Sequence, residues 1–377
     1  MMKLSGWLLL GVAGGVSACS TIFGDFVVGG DGTGVEGTTS SASSSASGSG
    51  AASSASTGSA GTTSGAGAGG ACGGADTNSD PLNCGACGHS CLGSTCVGAV
   101  CQPIPLAINQ DGTASIALDA TNVYWTSGID GVAGYVYTVP KGGGLAIQLY
   151  SDSAGAKGVT VDAQSVYCNN GMAETVQLPK GGGSAHTLTM GGTWDGGMAV
   201  DATNFYWADS EGSIMKIALA TNASTTLATS PKPAFLAIDA TNVYWTDEMQ
   251  GTVMKVPIIG GAAVMLATSP SPFGVAVDAT SVYWTDEMQG TVMKVPIAGG
   301  SAVTLASVQA GPVEIAVDAT TVYWTDESAG TVMMVPIVGG VPVALASGGK
   351  EPWAIVVDAT AVYWTDPAAG TVSKVAK

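Results

Sequence analysis

The sequence predicts an all-β protein that consists mainly of a seven-bladed β-propeller with four-stranded blades. Its period predicts the blades. An Asp-Ala pair, a short gap and then Val-Tyr-Trp or a close variant recur about every forty residues, which is the length of one blade. Its composition predicts strands, because the units alternate β-branched residues with Gly-Gly and Asp turns. Its two ends predict a closed ring, because each supplies the part of a blade that the other lacks. The recurring Asp lies at positions 119, 162, 201, 239, 278, 318 and 358.

One unit shows the four strands, which we label A to D in chain order. Asp278 begins the turn between A and B, and Gly299-Gly300 forms the hairpin turn between C and D. We predict the strands at residues 273–277, 282–285, 291–297 and 303–306. The sixteen residues from Val243 to Ile258 recur unchanged from Val282 to Ile297. Strand B, its turn and strand C are therefore copied between two adjacent blades, which indicates scaffold.

The ends of the repeat array predict how the ring closes. The seventh unit stops within strand C, at residues 372–375, and has no strand D. Residues 103–108 precede the first strand A and match the end of a complete unit. Pairing these two segments leaves no open sheet edge, which is how propellers avoid edge-to-edge association. We therefore assign residues 102–377 to the propeller and expect a monomer.

Residues 1–18 read as an export signal. Lys3 gives a positive start, and the apolar run at residues 4–16 is too short to span a bilayer as a helix. The ending Val-Ser-Ala-Cys19 resembles the lipobox of bacterial lipoproteins. The resemblance implies a lipid on Cys19, with Ser20 compatible with an outer-membrane location, and contact with the membrane only through that anchor. The alternative is an ordinary secretory signal cut after Ala18, which gives a secreted protein.

Residues 19–71 are predicted to form a disordered linker. From about residue 33 onward this segment is almost entirely Ser, Gly, Ala and Thr. Such a composition buries too little apolar surface to offset the entropy lost on ordering. The segment should behave as a flexible tether between the anchor and the domains that follow.

Residues 72–101 are predicted to form a small disulfide-rich module. In an exported chain, six closely spaced cysteines favour three disulfides, and fifteen pairings are open. Zinc is the alternative, because Cys84-Gly-Ala-Cys87 has ligand-like spacing. The run from Asp80 to Cys91 resembles the Stig1-like cysteine-rich motif, which recurs ahead of other domains in exported bacterial proteins. The cysteines are Cys72, Cys84, Cys87, Cys91, Cys96 and Cys101.

Two aspartate patterns suggest cations but favour turns. The run from Asp76 to Asp80 is similar to the start of a calcium loop, yet Pro81 stands where that loop needs Gly and Cys87 where it needs Glu. The seven repeated Asp residues could ring a cation face, but a residue that recurs in every unit is better explained as a turn cap. We expect Asx turns and no bound metal.

Four units carry Tyr-Trp-Thr-Asp in register, beginning at Tyr244, Tyr283, Tyr323 and Tyr363. The first three units carry the variants Tyr-Trp-Thr-Ser, Tyr-Cys-Asn-Asn and Tyr-Trp-Ala-Asp, beginning at Tyr124, Tyr167 and Tyr206. The array therefore resembles the YWTD propeller of lipoprotein receptors. The resemblance implies that these residues pack between blades and brace turns. That family usually has six blades, whereas this chain has seven units.

Charge and composition disfavour several function classes. The chain has a formal net charge of −17, and all eleven of its basic residues are Lys. Bidentate recognition of phosphate or guanine relies on Arg, and nucleic acid repels so acidic a chain. Of the two histidines, His89 lies in the cysteine module and His186 in a predicted outer strand. Because Arg and any Ser/His/Asp arrangement are also missing, the sequence predicts no enzyme and no cofactor. Cys168, in place of a blade Trp, is read as a buried thiol.

The residues that do not repeat are the candidates for binding. Aromatic residues at the entry to strand A should lie on the same rim as the turns between strands B and C, and exposed aromatics on loops are common binding anchors. The alternative is that they plug the channel mouth or fill gaps between blades. The aromatic candidates are Trp194, Phe235, Phe273 and Trp353, with Glu248, Glu287 and Glu327 as acidic candidates on the same rim. Glu211, Lys157, Lys232 and Lys350 share that rim.

The sequence thus predicts a non-enzymatic surface lipoprotein whose propeller binds an extracellular glycan or protein. One alternative is a structural spacer without a specific ligand. Another is a lyase or hydrolase that uses rim carboxylates.

Overall fold

The computed structural model describes residues 76–129, 133–153, 155–170, 174–190, 197–209 and 211–377. The predicted signal, Cys19, the linker, Cys72 and Trp194 lie outside these residues. The described part of the chain contains no helix with the length and apolarity that a membrane crossing requires.

Seven four-stranded antiparallel sheets form the propeller, and each sheet is one blade with its strands in the order A to D. Blade 1 holds β4–β7, blade 2 β8–β11, blade 3 β12–β15, blade 4 β16–β19, blade 5 β20–β23, blade 6 β24–β27 and blade 7 β28–β30 with β3. The bounds are as follows: β1 Cys96–Val97, β2 Val100–Cys101, β3 Ile104–Ile108, β4 Ile116–Leu118, β5 Asn122–Ile129, β6 Ala133–Pro140, β7 Ile147–Asp152, β8 Ala156–Val161, β9 Ser165–Asn170, β10 Glu174–Pro179, β11 His186–Met190, β12 Met198–Val200, β13 Asn204–Asp209, β14 Ser213–Ala218, β15 Ala223–Thr229, β16 Pro233–Ile238, β17 Asn242–Asp247, β18 Thr252–Pro257, β19 Val264–Thr268, β20 Pro272–Val277, β21 Ser281–Asp286, β22 Thr291–Pro296, β23 Val303–Ala306, β24 Pro312–Val317, β25 Thr321–Asp326, β26 Thr331–Pro336, β27 Val343–Ser347, β28 Ile355–Val357, β29 Ala361–Asp366 and β30 Thr371–Ala376.

The predicted closure of the ring is confirmed. Strand β3 pairs antiparallel with β30, with Ile104 opposite Lys374 and Ile108 opposite Thr371, and so supplies the fourth strand of blade 7. The ring therefore has no open blade, as the complementary ends of the array predict.

Strand B forms the buried frame of each blade. Its Tyr hydroxyl donates to the carboxylate of the Asp five residues earlier, over 2.7–3.0 Å in all seven blades. In blades 1, 4, 5 and 6, a Thr hydroxyl of strand B also accepts a backbone N–H of strand A and donates to a backbone carbonyl of the next blade. Thr285, for example, joins Gly274 to Val313 in this way. These contacts confirm that the motif residues are architectural.

The seven repeated Asp residues are turn caps, as predicted. In each, one carboxylate oxygen accepts the backbone N–H groups two and three residues later, which is an Asx-type cap. Asp278, for example, accepts from Thr280 at 2.6 Å and from Ser281 at 2.7 Å. The same bonds occur at the other six positions.

Lysines tie neighbouring blades together, and the seam between blades 7 and 1 is tied in both directions. The Lys141 ammonium pairs with Asp358 at 2.8 Å, while Lys374 donates to the Lys141 backbone carbonyl at 2.7 Å. An equivalent pair joins Lys377 to Asp318 at 2.6 Å. Burial alone would raise the pKa of Asp318, but hydrogen bonds from Lys377, Thr320 and Tyr323 outweigh it and lower the pKa to about 2.

The cysteine module is held by disulfides, as predicted. Cys84 bonds to Cys96 and Cys91 to Cys101, and Cys87 is also disulfide-bonded. The sulfur atoms of Cys84, Cys91 and Cys101 lie within 4.8 Å of one another. Because all three are half-cystines, they are not the thiolates that zinc requires. Four half-cystines share a hydrophobic cluster with residues of blades 6 and 7, including Leu345 and Val375.

The first aspartates of the module form turns, as predicted. The N–H of Asn78 donates to Asp76 at 3.0 Å, and the N–H of Leu82 donates to Asp80 at 2.9 Å. Both bonds span two residues, as in an Asx turn.

Candidate functional site

A cavity of about 310 Å³ occupies the centre of the ring. The A strands of all seven blades contribute to its wall, so it is the central channel of the propeller. Most of the wall is aliphatic. Among the described residues that line it, Glu314 is the one ionisable side chain. The wall includes Ser115, Ile116, Val159, Met198, Phe235, Gly274, Glu314 and Val356.

Glu314, on β24, has a partly buried carboxyl group that receives only one hydrogen bond from the described residues. One of its oxygens accepts the backbone N–H of Ile355 at 3.2 Å, and the other has no hydrogen-bond partner among the described residues. Burial among apolar groups raises the pKa of Glu314 to about 8, against an ordinary value of 4.5. A strongly raised carboxyl pKa inside a cavity is typical of functional sites.

The fold does not require a carboxyl group at this place. Four residues before the turn Asp, the seven blades carry Ser115, Gly158, Gly197, Phe235, Gly274, Glu314 and Ala354. The Ser115 hydroxyl accepts the N–H of Val159 in the next blade at 3.2 Å, just as Glu314 accepts that of Ile355. A short neutral side chain therefore satisfies the same amide, and the charge of Glu314 is an addition.

Three of the four predicted aromatic candidates form one cluster, which we call the aromatic cluster: Phe235, Phe273 and Trp353. The Phe235 and Phe273 ring centroids lie 4.8 Å apart, and Phe273 meets Trp353 edge-on at 5.9 Å. Phe235 is buried and lines the channel, whereas Phe273 and Trp353 are partly exposed. Phe273 and Trp353 come from blades 5 and 7, so their contact passes over blade 6, the blade that carries Glu314.

The scaffold holds the aromatic cluster in place. The Thr246 hydroxyl donates to the backbone carbonyl of Phe273 at 2.6 Å, and the Thr325 hydroxyl to that of Trp353 at 2.5 Å. The backbone N–H of Glu314 donates to Thr325 at 3.2 Å. One buried threonine therefore fixes the backbones of both Glu314 and Trp353, so these two residues start from a rigid scaffold.

The turns between strands B and C lie beside the entries to strand A, as predicted. Backbone N–H groups of Glu248, Glu287 and Glu327 donate to carbonyls of Lys232, Ser271 and Gly311, respectively. We call this end of the channel the mouth.

The three acidic candidates differ in their surroundings. Glu248 is ion-paired with Lys232, whereas Glu287 is exposed. Burial raises the pKa of Glu327, and the nearby carboxylates of Glu351 and Glu287 raise it further. The Glu327 carboxylate thus lies close enough to those of Glu351 and Glu287 to be repelled by both, which adds negative potential at the mouth.

Sequence reasoning missed Glu314 and Glu351. A signal for Glu314 was present, because it is the one charged residue among the seven that precede the turn Asp by four positions. His186 begins the outermost strand of blade 2, and His89 lies in the cysteine module with Nδ1 2.5 Å from the Cys84 carbonyl. Neither lies in the channel.

No protein-family profile matches the sequence, and no curated protein sequence is similar to it. Solved structures do share its fold. A catalytically inactive variant of virginiamycin B lyase from Staphylococcus aureus, solved with quinupristin, has a TM-score of 0.63 at 14% identity, over 73% of this chain and 98% of that one. A streptogramin B lyase has a TM-score of 0.62 at 14% identity, over 73% and 96%. A chain of a nidogen–laminin complex aligns with 52% of this chain and with 82% of its own length, at 21% identity. Its TM-score of 0.44 is too low to show a shared fold.

The prediction that the chain is not an enzyme is wrong. Two structures with its fold are lyases, so the fold is one on which catalysis occurs. The scarcity of histidine and the lack of arginine and of a Ser/His/Asp triad do not exclude catalysis in this chain. Glu314 is a single carboxyl group in a poorly solvated channel, and such groups are a common source of acid–base chemistry. At 14% identity the likeness shows the fold alone, a seven-bladed propeller.

Proposed function

We propose that the channel mouth is a ligand-binding site and that its ligand is the end of an extracellular glycan. The observation that carries the proposal is the aromatic cluster beside Glu314. These side chains come from blades 4 to 7, they meet at one place, and none of them belongs to the repeated pattern. Aromatic faces combined with a few fixed polar groups are the usual composition of a small-ligand site.

The shape of the site favours a glycan over a protein. The channel volume of about 310 Å³ lies at the lower end of small-ligand pockets, so it admits the end of a narrow chain. A stable protein partner would need roughly 800 Å² of this surface. The aromatic surface is confined to the mouth, with Phe235 buried and only Phe273 and Trp353 partly exposed. The alternative, that the ligand is a protein segment, is one of the outcomes that the binding experiment below can give.

The proposal also includes the cellular location of this site. The chain is exported and carries a lipid on Cys19 at the cell surface, with residues 19–71 as a tether and a YWTD-type propeller behind a Stig1-like module. Disulfides at Cys84–Cys96 and Cys91–Cys101 support export, because such bonds persist in oxidising compartments. Metabolic labelling with a fatty acid should mark the natural chain and leave Cys19→Ala unlabelled. Label on Cys19→Ala would overturn the anchor.

Binding is tested by probing an array of soluble glycans with the full chain. We expect the best glycan to lose at least tenfold in affinity with Trp353→Leu, which keeps apolar bulk but removes the stacking face. The matched control is Val338→Ala, an 87% exposed residue after strand C of blade 6, which should bind normally. The melting temperature of each variant separates binding from packing.

Three results would contradict the proposal. If Trp353→Leu binds the glycan normally, the mouth is not the site. If its melting temperature collapses along with binding, the aromatic cluster serves packing. If no glycan binds while a peptide library does, the ligand is a protein segment. Failure of both libraries would favour a surface spacer.

A further inference from the structure

We infer that the ligand presents a protonated amino group to Glu314, so that the glycan end is an amino sugar with a free amine. This inference rests on the proposed function and names the chemistry that the same site selects. Three independent features of the channel support it.

The first feature is the lack of a cationic partner for Glu314 among the described residues. Its carboxyl group receives one backbone N–H, from Ile355, and no cation among the described residues. Leaving a partly buried carboxyl group so poorly compensated is unfavourable. Ser115 satisfies the equivalent amide without a charge. A ligand ammonium group would supply the missing donor and the missing charge together.

The second feature is the sign of the charges around the mouth. Glu287, Glu327 and Glu351 interact there as like charges. The channel wall offers no lysine among the described residues, and the whole chain contains no arginine. Of the three rim lysines, Lys157 lies in blade 2, away from blade 6, and has an interaction of its own. Lys232 is paired with Glu248, and the Lys350 ammonium group donates to the Ala368 carbonyl at 3.2 Å. The potential around Glu314 therefore favours a cation over an anion.

The third feature is the aromatic neighbourhood. Phe235 lines the same cavity as Glu314 and contacts Phe273, which contacts Trp353. Ammonium groups are attracted to aromatic faces, and carboxylates combined with aromatic rings are a common way to recognise them. The pyranose ring of an amino sugar can stack on the partly exposed indole while its amine turns toward the carboxylate.

The test compares three tetrasaccharides on the full chain by isothermal titration calorimetry at pH 6. They are a β-1,4-glucosamine tetramer, its fully N-acetylated form and cellotetraose, which differ in the substituent at carbon 2 of each sugar. We expect the natural chain to bind the free amine at least tenfold more tightly than the other two. Glu314→Gln should bind all three within about threefold of one another, because it keeps the shape and loses the charge. Glu327→Gln removes part of the negative potential of the mouth, so it should weaken the preference for the amine, but by less than Glu314→Gln does; the difference separates the contact with Glu314 from the general field.

A second readout follows from proton balance. In the free protein at pH 6 the Glu314 carboxyl holds a proton, which it must lose to pair with a cation. Titrations in buffers of different ionisation enthalpy should therefore show release of about one proton per glucosamine tetramer bound. Glu314→Gln should release none.

The outcomes separate this inference from the proposed function. If the N-acetylated or neutral tetramer binds as well as the amine, or if Glu314→Gln keeps the tenfold preference, the inference is wrong. The binding site survives that result provided that Trp353→Leu weakens binding. No binding of the glucosamine tetramer also overturns the inference. If a lysine peptide binds and its acetyl-lysine form does not, while the glycans fail, the amine is right and the glycan is wrong.

Discussion

Strands A and B of the same blades follow opposite rules. In strand B the Tyr hydroxyl donates to the turn Asp in all seven blades, and the buried Thr makes the same two bonds in several of them. In strand A the position four residues before that Asp changes from Ser to Gly, Phe, Glu and Ala around the ring. Repetition in this chain therefore marks what closes and stabilises the ring. The specific chemistry lies at positions where the blades disagree.

The largest effect should come from removing a scaffold strand that no other part of the chain can replace. Deletion of residues 102–110 removes β3 and opens blade 7, so we expect aggregation or exchange of strands between molecules. Size-exclusion chromatography and calorimetry measure the outcome. Ile108→Thr is the control, since Ile108 is 59% exposed and the change keeps the backbone pairing. A monomeric deletion variant with an unchanged melting temperature would contradict closure by β3.

A repeated side chain should matter more for stability than an unrepeated one. Thr285→Val keeps the shape of a fully buried residue but leaves the Gly274 N–H and the Val313 carbonyl without their bonds. We expect a loss of about 3 kcal/mol in unfolding free energy, because two buried groups lose their partner. Thr285→Ser should retain most of the stability. Equal urea midpoints for Thr285→Val and the natural chain would refute a scaffold role for this threonine.

An unrepeated residue should instead cost stability. The pKa of Glu314 rises on folding from about 4.5 to about 8, so between these pH values the folded state binds more protons than the unfolded state. The unfolding free energy should therefore fall as the pH rises from about 5 to about 8. Glu314→Gln removes this dependence and should gain roughly 2 kcal/mol at pH 9, with no gain at pH 4. Urea unfolding across this pH range checks the slope, and a parallel slope in the variant would place the titration elsewhere.

The smallest expected effect concerns a place where one blade departs from a repeated backbone shape. Val308 has a φ of 59° and is 93% exposed, while Gly348 has a φ of 86° at the same register in the next blade. A β-branched residue is strained in this left-handed region. We expect Val308→Gly to stabilise the chain by about 0.5 kcal/mol, net of the entropy glycine adds to the unfolded state. Gly348→Val should be destabilising. Loss of stability in Val308→Gly would mean that the valine side chain has a packing role.

Most of the fold could be predicted from the sequence because the residues that define each blade recur at a regular spacing. The spacing of the turn Asp gives the number of blades, and the unmatched ends at residues 103–108 and 372–375 give the closure. The Asx caps follow from one residue type at one turn position. The docking of the cysteine module against blades 6 and 7 could not be predicted, because it depends on surfaces that only the closed ring creates.

The site was predictable only in part. Phe235, Phe273 and Trp353 were found as exceptions to the repeat, but their mutual contact passes over blade 6 and needs the geometry of the ring. The importance of Glu314 could not be recognised from the sequence because it comes from desolvation in the closed ring, which the sequence does not display. For the same reason, enzymatic activity was mistakenly excluded. Trp194 remains a sequence prediction.

The junction between the cysteine module and the ring has a mechanical consequence. Cys101 lies three residues before β3 and is covalently joined to Cys91, so the ten-residue separation between them cannot lengthen under load. A pull arriving from the N-terminal side would therefore be delivered without slack to the edge of blade 7. The pairing of Ile104 with Lys374 would be the first to feel the force. Under tension β3 should separate from β30 before any other blade loses a strand.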